Sequence, residues 1–474
     1  MINTKPLLCL LSTLLIISVL CTGAYAGGYN LAGVGSKALA MSGAFRAVSD
    51  DWSAMYWNPA GLAGQANAFT IGSKMLYPIV WLTPDVPSHY PGYEGYHNGI
   101  EQTTKETGFL AGGFGLTYQL PKNLTVGFSV FAPSALGADW QNLFTGPPYG
   151  YNNTEPYPEK GWNSDLKVID FHPTIAYSVN EKLDVGLGLA IQYGDICLES
   201  PKMVPSGAPF PFEHFYVDAV LEGTGLGFGF NLGVLYKISE TIKFGASYRG
   251  PVDIAIEGTV KQKLIHPYSL GLQAAMPEVA HLFNGGVSEA EPDGSADFPI
   301  PMDAGFGVAL FPNPKLTVAF DIVWTNWGSI DEIEIKMSGE GPVDTDGDGI
   351  KEPAEDNKLL MNYEDTYRFN IGADYLITEE KDLHVRLGYY FDPTPIPAGS
   401  LRPTITDVAD KHNVSLGFKC EPWKNVSLEG YWEHLFTNTR SIVALYNEDG
   451  EMDNIAGDWK LQVDTFGLSI GYQF

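Results

Sequence analysis

The sequence predicts an all-β fold, a fourteen-stranded antiparallel transmembrane β-barrel with an N-terminal segment in its lumen. Three observations carry that prediction. The chain holds 53 Gly, 25 Tyr, 25 Phe and 10 Trp but only 18% charged residues, and its mean hydropathy is close to zero. Aromatic girdles, with apolar residues alternating with small or polar ones, give a membrane barrel this balance. Period-two patterns recur along the chain, separated by turns that are short at one end and long at the other. The segment before the first such pattern does not alternate at all.

Residues 1–26 read as an export signal. Lys5 precedes an apolar run from Leu7 to Leu20, and Ala24 and Ala26 occupy the small positions of a signal-peptidase site. The mature chain would begin at Gly27. Leu20 before Cys21 argues against lipid attachment, where a small residue is needed. After Leu20 no stretch approaches the ~20 apolar residues of a membrane-spanning helix. A soluble exported β-protein and a barrel remain.

Alternation separates them. In "LHVRLGYYF", Leu383, Val385, Leu387, Tyr389 and Phe391 share one face against His384, Arg386 and Gly388, and "LTVAFDIVW" repeats the pattern from Leu316 to Trp324. Short turns near 121, 180, 239, 312, 378 and 423 alternate with long connections at 81–107, 136–163, 201–213, 265–297, 340–361, 398–409 and 441–456. Outer-membrane barrels have this asymmetry. Strands placed between the breaks start near 66, 108, 124, 164, 183, 214, 242, 298, 315, 360, 383, 410, 426 and 459. The last ends "FGLSIGYQF", with Phe466, Leu468, Ile470, Tyr472 and Phe474 on one face. Left open, such an edge invites aggregation; closure against the first strand removes it.

Residues 27–65 form the N-terminal segment, and 66–474 the barrel. Within the segment, "DDWSAMYWNPAGLAG" mixes carboxylates, bulky aromatics and an Asn-Pro-Ala-Gly turn. Pro59 drives Asn58 out of helical conformation. The lumen is the natural place to bury Phe45, Trp52, Met55, Tyr56 and Trp57.

The segment resembles the N-terminal hatch of the outer-membrane long-chain fatty acid transporter family (FadL type, which includes aromatic-hydrocarbon importers), marked by Asn58, Pro59 and Ala60. "NYEDTYRFNIGADYLI" and the following "LHVRLGYYFDPTPIPAGSLRPTITDVADKHNVSLGF" are similar to the family's late strands, and "FAPSALGADW" at 131–140 is similar to its third strand, with Ser134 and Ala135 intervening. The resemblance implies passive uptake of hydrophobic molecules, fatty acids ahead of aromatic hydrocarbons, by a monomer among outer-membrane lipids and lipopolysaccharide. It further implies a movable hatch and a kink at Pro133 that opens the wall sideways. A proline inside a strand needs a bulge, kink or edge in any case.

Capture would fall to the long loops, where Phe210, Phe212 and Phe215, with Leu270, Met276, Val279, Leu282 and Phe283 on an amphipathic helix, would form a groove. Strand parity turns Lys243, Arg249, Arg368 and Arg386 inward as partners for a fatty carboxylate. Asp321, Asp374, Glu429 and Glu433 also face inward. If they pair every cation, a neutral hydrocarbon fits better.

"DTDGDGIKEPAE" matches a twelve-residue calcium loop, with Asp344, Asp346, Asp348, the Ile350 carbonyl and Glu355 as ligands of a structural calcium ion; no other cofactor is expected. A net charge of −28 argues against nucleic-acid binding. Cys197 and Cys420 fall on well-separated strands and should be free thiols. The Gly-x-Ser-x-Gly spacing at Gly467–Gly471 falls inside the last strand and not at a strand-to-helix elbow, and there is no convincing Ser-His pairing for an enzyme. A general porin is the closer rival, and lacks the plug.

Overall fold

A computed structural model describes residues 29, 31–87, 97–105, 108–140, 162–206, 208–209, 212, 214–344, 349–445 and 454–474. The expected export signal, residues 1–26, lies outside them. Fourteen strands close into a ring. They are β1 (Ala68–Pro84), β2 (Phe109–Leu120), β3 (Leu124–Trp140), β4 (Trp162–Asn180), β5 (Leu183–Pro205), β6 (His214–Ser239) and β7 (Ile242–Arg249), followed by β8 (Asp303–Asn313), β9 (Leu316–Thr325), β10 (Thr366–Thr378), β11 (Leu383–Asp392), β12 (Lys411–Trp423), β13 (Val426–Thr437) and β14 (Gly457–Gln473). Each pairs antiparallel with the next, and β14 returns to β1 from Ala68↔Gln473 to Pro84↔Gly457. Closure leaves the ring no free edge, which backbone in lipid requires.

Period two decides which side chains meet lipid. On β14, Phe466, Leu468 and Tyr472, with Phe474 just beyond it, are about half exposed, whereas Leu461, Val463, Thr465 and Ser469 on the opposite face are buried. On β11, Val385, Leu387 and Tyr389 face out and Arg386 and Tyr390 face in.

The strand starts read from the alternation hold within a few residues, with two exceptions. The eighth barrel strand begins at Asp303 rather than near 298, because Phe298 belongs to a loop strand, Asp293–Ile300. Pro301 and Met302, which stand outside both strands, separate the two, since proline cannot donate to a ladder. The tenth begins at Thr366 rather than near 360, because Asn357–Leu360 is a separate strand paired to Glu332–Ser338.

These loop strands build a second sheet above the ring. After Pro251 the chain leaves β7 and runs as Val252–Ile265 along the upper half of β6. Asp293–Ile300 adds to Val252–Ile265, Glu332–Ser338 adds to Asp293–Ile300, and Asn357–Leu360 completes the sheet. One face buries Leu221, Val260, Phe298, Ile333 and Ile335 at the long-loop end of the lumen.

Candidate functional site

Residues 31–65 lie inside the ring, and glycine on the wall lets them come close. A Cβ at Gly233 of β6 would stand 2.0 Å from Asn58 Oδ1, and one at Gly186 of β5 would stand 2.3 Å from Pro59. The Asn-Pro-Ala turn therefore sits on bare backbone. Asn58 is fully buried. Its Nδ2 donates to Arg46 O at 2.8 Å and to Val234 O of β6 at 3.1 Å, while its Oδ1 accepts from Ala60 N at 3.2 Å. One side chain thus joins two hatch turns to the wall. Met55 packs on Gly127 of β3 and Trp52 on Gly115 of β2. Tyr56 touches the rings of Trp57 at 5.1 Å and Phe131 at 5.5 Å. Phe45 is completely enclosed.

Charge fixes the other side of the hatch. Asp321 of β9 accepts from the backbone N–H of Phe45 at 3.0 Å and of Arg46 at 2.8 Å. The Arg46 guanidinium reaches Asp303 at 3.5 Å and Asp321 at 3.6 Å. Lys37 pairs with Asp50 at 2.8 Å and Asp374 at 3.5 Å. Those partners hold the Lys37 ammonium above its usual range against the opposing cost of burial, and Lys37 holds the Asp50 carboxyl below its own range. Asp51 behaves oppositely. Burial first, and the Glu429 carboxylate second, push it up to about 6.

Pro133 lies inside β3, not at its rim. The β3–β4 register shifts between Phe131 and Ser134, which marks a bulge. The β2–β3 ladder stops at Gly113↔Phe131, so the upper part of β3 leaves its neighbour. Residues at the head of the hatch take its place: Leu31 N donates to Pro133 O at 2.9 Å and Ala135 N to Tyr29 O at 3.0 Å. In/out alternation fails here, and residues 131–135 are all buried. A small cavity of about 40 Å³ adjoins the break, lined by Gly112, Gly113, Phe131, Ala132 and hatch residues 33–36.

A larger cavity of about 280 Å³ lies under the second sheet, lined by Leu198, Leu221, Val260, Phe298, Ile333, Leu359 and others, with Tyr29 at the hatch side and Lys358 and Arg402 among its polar residues. Below it is a polar cavity of about 60 Å³, with Arg46, Arg249, Arg368, Asp303 and Asp392 in its lining. Aromatic rings divide the two: Tyr29 lies 5.1 Å from Trp327, and Trp327 lies 5.9 Å from Tyr363. The residues of the larger cavity went unmarked in the sequence. The alternation Ile333, Ile335 reads in the sequence as the upper end of the ninth strand, and the run Leu359 to Tyr363 as the junction between the 340–361 connection and the tenth strand, so neither marks a cavity.

The inward cations divide. Arg386 is clamped by Asp374 at 3.1 Å and Glu429 at 2.8 Å. Arg249 pairs with Asp303 at 3.2 Å, donates to Tyr56 O at 3.0 Å and covers the Tyr56 ring at 3.9 Å. Lys243 lies 5.4 Å from the Phe311 ring. Arg368 stacks on Tyr390 at 3.8 Å, and its buried Nε and Nη2 have no hydrogen-bond partner among the described residues.

One reading of the loops needs correction. Phe212, Phe215, Leu282 and Phe283 do come together with Val279, but as a closed core. Phe283 is fully buried and Phe215 nearly so, so they line no open groove. The expected helix splits into Leu270–Ala275 and the 3₁₀ turn Pro277–Phe283, because Pro277 interrupts the helical hydrogen bonds. Leu270 faces outward and Met276 sits at the break; Phe210 lies outside the described residues.

The twelve-residue calcium loop lies only partly within the described residues, where Glu340 bridges Pro353. Ile350 is exposed and Asp344 Oδ2 accepts from Gly349 N at 3.0 Å, while Asp346 and Asp348 lie outside the described residues. Cys197 and Cys420 are both free.

Comparison with known proteins agrees with this architecture. A profile of the family described as "Outer membrane protein transport protein (OMPP1/FadL/TodX)" matches residues 17–474. The chain is 20% identical to a putative outer membrane protein of Neisseria meningitidis, covering 95% of each chain. It is 23% identical to the long-chain fatty acid transport protein of Salmonella typhi over 54% of this chain and 56% of that one. The chain thus aligns with only about half the length of the curated fatty acid transporters it matches. Two solved folds superpose closely: a Pseudomonas aeruginosa FadL homologue, at TM-score 0.74 and 17% identity, covering 94% and 100% of the chains, and the Pseudomonas putida toluene transporter TodX, at 0.70 and 19%, covering 94% and 99%. A fourteen-stranded ring and a profile match across the chain lead to one conclusion: this protein belongs to the OMPP1/FadL/TodX family of outer membrane transport proteins, which are channels and not enzymes.

Proposed function

We propose that this barrel takes up long-chain fatty acids passively, through the apolar cavity, the arginine cavity beneath it and the break between β2 and β3. The observation that carries the reading is the stacking of the two cavities across Tyr29 and Trp327. Burying a methylene is worth about 0.8 kcal/mol, so a sixteen-carbon chain gains roughly 10 kcal/mol in the upper cavity. Binding that firm needs a means of release. Tyr29 belongs to the upper cavity and, through its backbone, to the β3 bulge. Withdrawal of the hatch head would dismantle one wall of the pocket and uncover the gap beside Gly112 and Ala132 in the same movement.

Arg368 favours a carboxylate over a neutral hydrocarbon. Its donors lack the carboxylate clamp that neutralises Arg386. A charge-assisted hydrogen bond is about twice as strong as a neutral one, and stronger still away from water.

Uptake of labelled oleate and of a labelled alkylbenzene by cells making the wild type, Arg368→Gln or Arg368→Lys tests the reading. Oleate uptake should exceed the vector control, fall about tenfold in Arg368→Gln and recover in part in Arg368→Lys. Preference for the alkylbenzene, with no response to Arg368→Gln, would replace fatty acids by aromatic hydrocarbons. Uptake of both at the vector level would end the transport reading.

A further inference from the structure

The floor of the apolar cavity is aromatic. Tyr29, Trp327 and Tyr363 separate it from the arginine cavity, with Trp327 in the lining of the arginine cavity and Tyr363 in that of the apolar one. A chain that rests its carboxylate at Arg368 and its tail among Leu198, Leu221, Ile333 and Leu359 has to pass these rings. The two phenols there differ. Tyr29 donates its hydroxyl proton to Pro299 O. The Tyr363 hydroxyl has no hydrogen-bond partner among the described residues, although only 5% of the residue is exposed.

Tyr363 is also held firmly. Met361 N and Asn362 N both donate to Asp331 O, at 2.8 and 2.9 Å, and Tyr363 N donates to Ile330 O at 3.1 Å. Asn362 takes the left-handed conformation, with φ of 47°, that turns the chain between them. Burial, and after it the Asp407 carboxylate, push the phenol far above its ordinary range, so it keeps its proton. A phenol O–H both donates and accepts. Water entering the empty cavity can satisfy it; a hydrocarbon chain cannot. A methylene lying against Tyr363 would leave the hydroxyl buried and unpaired, which is the costly case, whereas an alcohol on the chain at that height would pair with it.

Ring spacing says where on the chain that alcohol belongs. Tyr363 and Trp327 have their centroids 5.9 Å apart, and Trp327 already borders the arginine cavity. That span covers only a few carbons, so the oxygen has to lie close to the carboxyl group. Building on the reading that Arg368 takes the carboxylate, we propose that the preferred substrates are fatty acids hydroxylated near the carboxyl end, and that Tyr363 is the specificity-determining residue that recognises the hydroxyl. Arg368 then selects for charge, Tyr363 for the oxygen beside it, and the aliphatic wall above for the tail.

The test is competition against labelled palmitate for the full-length protein in detergent, with palmitate, β-hydroxypalmitate and ω-hydroxypalmitate as competitors. On the wild type, β-hydroxypalmitate should compete about fivefold better than palmitate, the effect of one buried hydrogen bond. In Tyr363→Phe that advantage should vanish, whereas the standing of ω-hydroxypalmitate relative to palmitate should be the same in both proteins. A purely structural role for Tyr363 would shift all three acids together. An advantage that survives in Tyr363→Phe, or an equal loss of all three acids there, overturns the inference. Should Tyr363→Phe fail to fold, the wild type decides, because palmitate competing as well as β-hydroxypalmitate also overturns it. In that last case the fatty acid reading stands; a protein that binds none of the three acids loses both.

Discussion

Asn58 is worth more as three hydrogen bonds than as a turn former. It joins Arg46 O, Val234 O and Ala60 N, all away from water. Asn58→Ala should weaken hatch docking by about 1–3 kcal/mol for each buried group left unsatisfied, and raise thiol labelling of the buried hatch position Ala54→Cys at neutral pH. Gly233→Ala should do the same from the wall side, because the new methyl would overlap Asn58 Oδ1. Unchanged labelling in both would mean that the motif does not hold the segment in place. Asp51 sets a separate dependence. Its folded value of about 6 lies above the ordinary 3.8, so the folded state binds the proton more tightly than the unfolded one. Docking is then firmest below about 3.8, weakens as pH rises to about 6 and is flat beyond. Asp51→Asn should remove that slope in a melting series from pH 4 to pH 7; a slope that survives would assign it to another group. In the sequence the Asn-Pro-Ala turn was visible and its partners were not. Gly186 and Gly233 are spaced like turn or flexibility residues, and only their inward parity marks them as a landing surface.

At the scale of elements, alternation served best where a strand has lipid on one face and lumen on the other. β11, β12 and β14 begin within two residues of their expected starts, because one slip would turn every aromatic inward. It served least above the membrane. The strands Val252–Ile265 and Glu332–Ser338 have water on one face and the apolar cavity on the other, and their alternation reads in the sequence as an upward continuation of the seventh and ninth barrel strands, below the long connections at 265–297 and 340–361. The break in β3 was half legible: Pro133 gave its position, but the loss of pairing with β2 depends on the hatch head filling the ladder. Deleting Pro133 should remove the extra residue and let β3 pair with β2 above Gly113. Oleate uptake should then fall about tenfold while the protein keeps the heat-resistant electrophoretic mobility of a folded barrel. Full uptake through such a protein would place the exit elsewhere.

The whole molecule couples a rigid ring to a segment held by contacts of a different kind. Every barrel strand pairs with both neighbours over at least part of its length, whereas residues 32–65 are held mainly by side chains: Asp321 on Phe45 and Arg46, Asn231 on Met55, Asn370 on Ser42 and Lys74 on Gly33. On the proposed reading these contacts are exchanged for water in turn, and the plug leaves its seat without opening the ring. The most direct test pins that seat. Ser42 Oγ and Ser415 Oγ are 2.7 Å apart across the hatch and β12, a spacing from which a Ser42→Cys, Ser415→Cys pair can form a disulfide. In a Cys197→Ser, Cys420→Ser background, the oxidised protein should take up no more oleate than the vector control, and reduction should restore uptake. Equal uptake before and after reduction would contradict a hatch that moves.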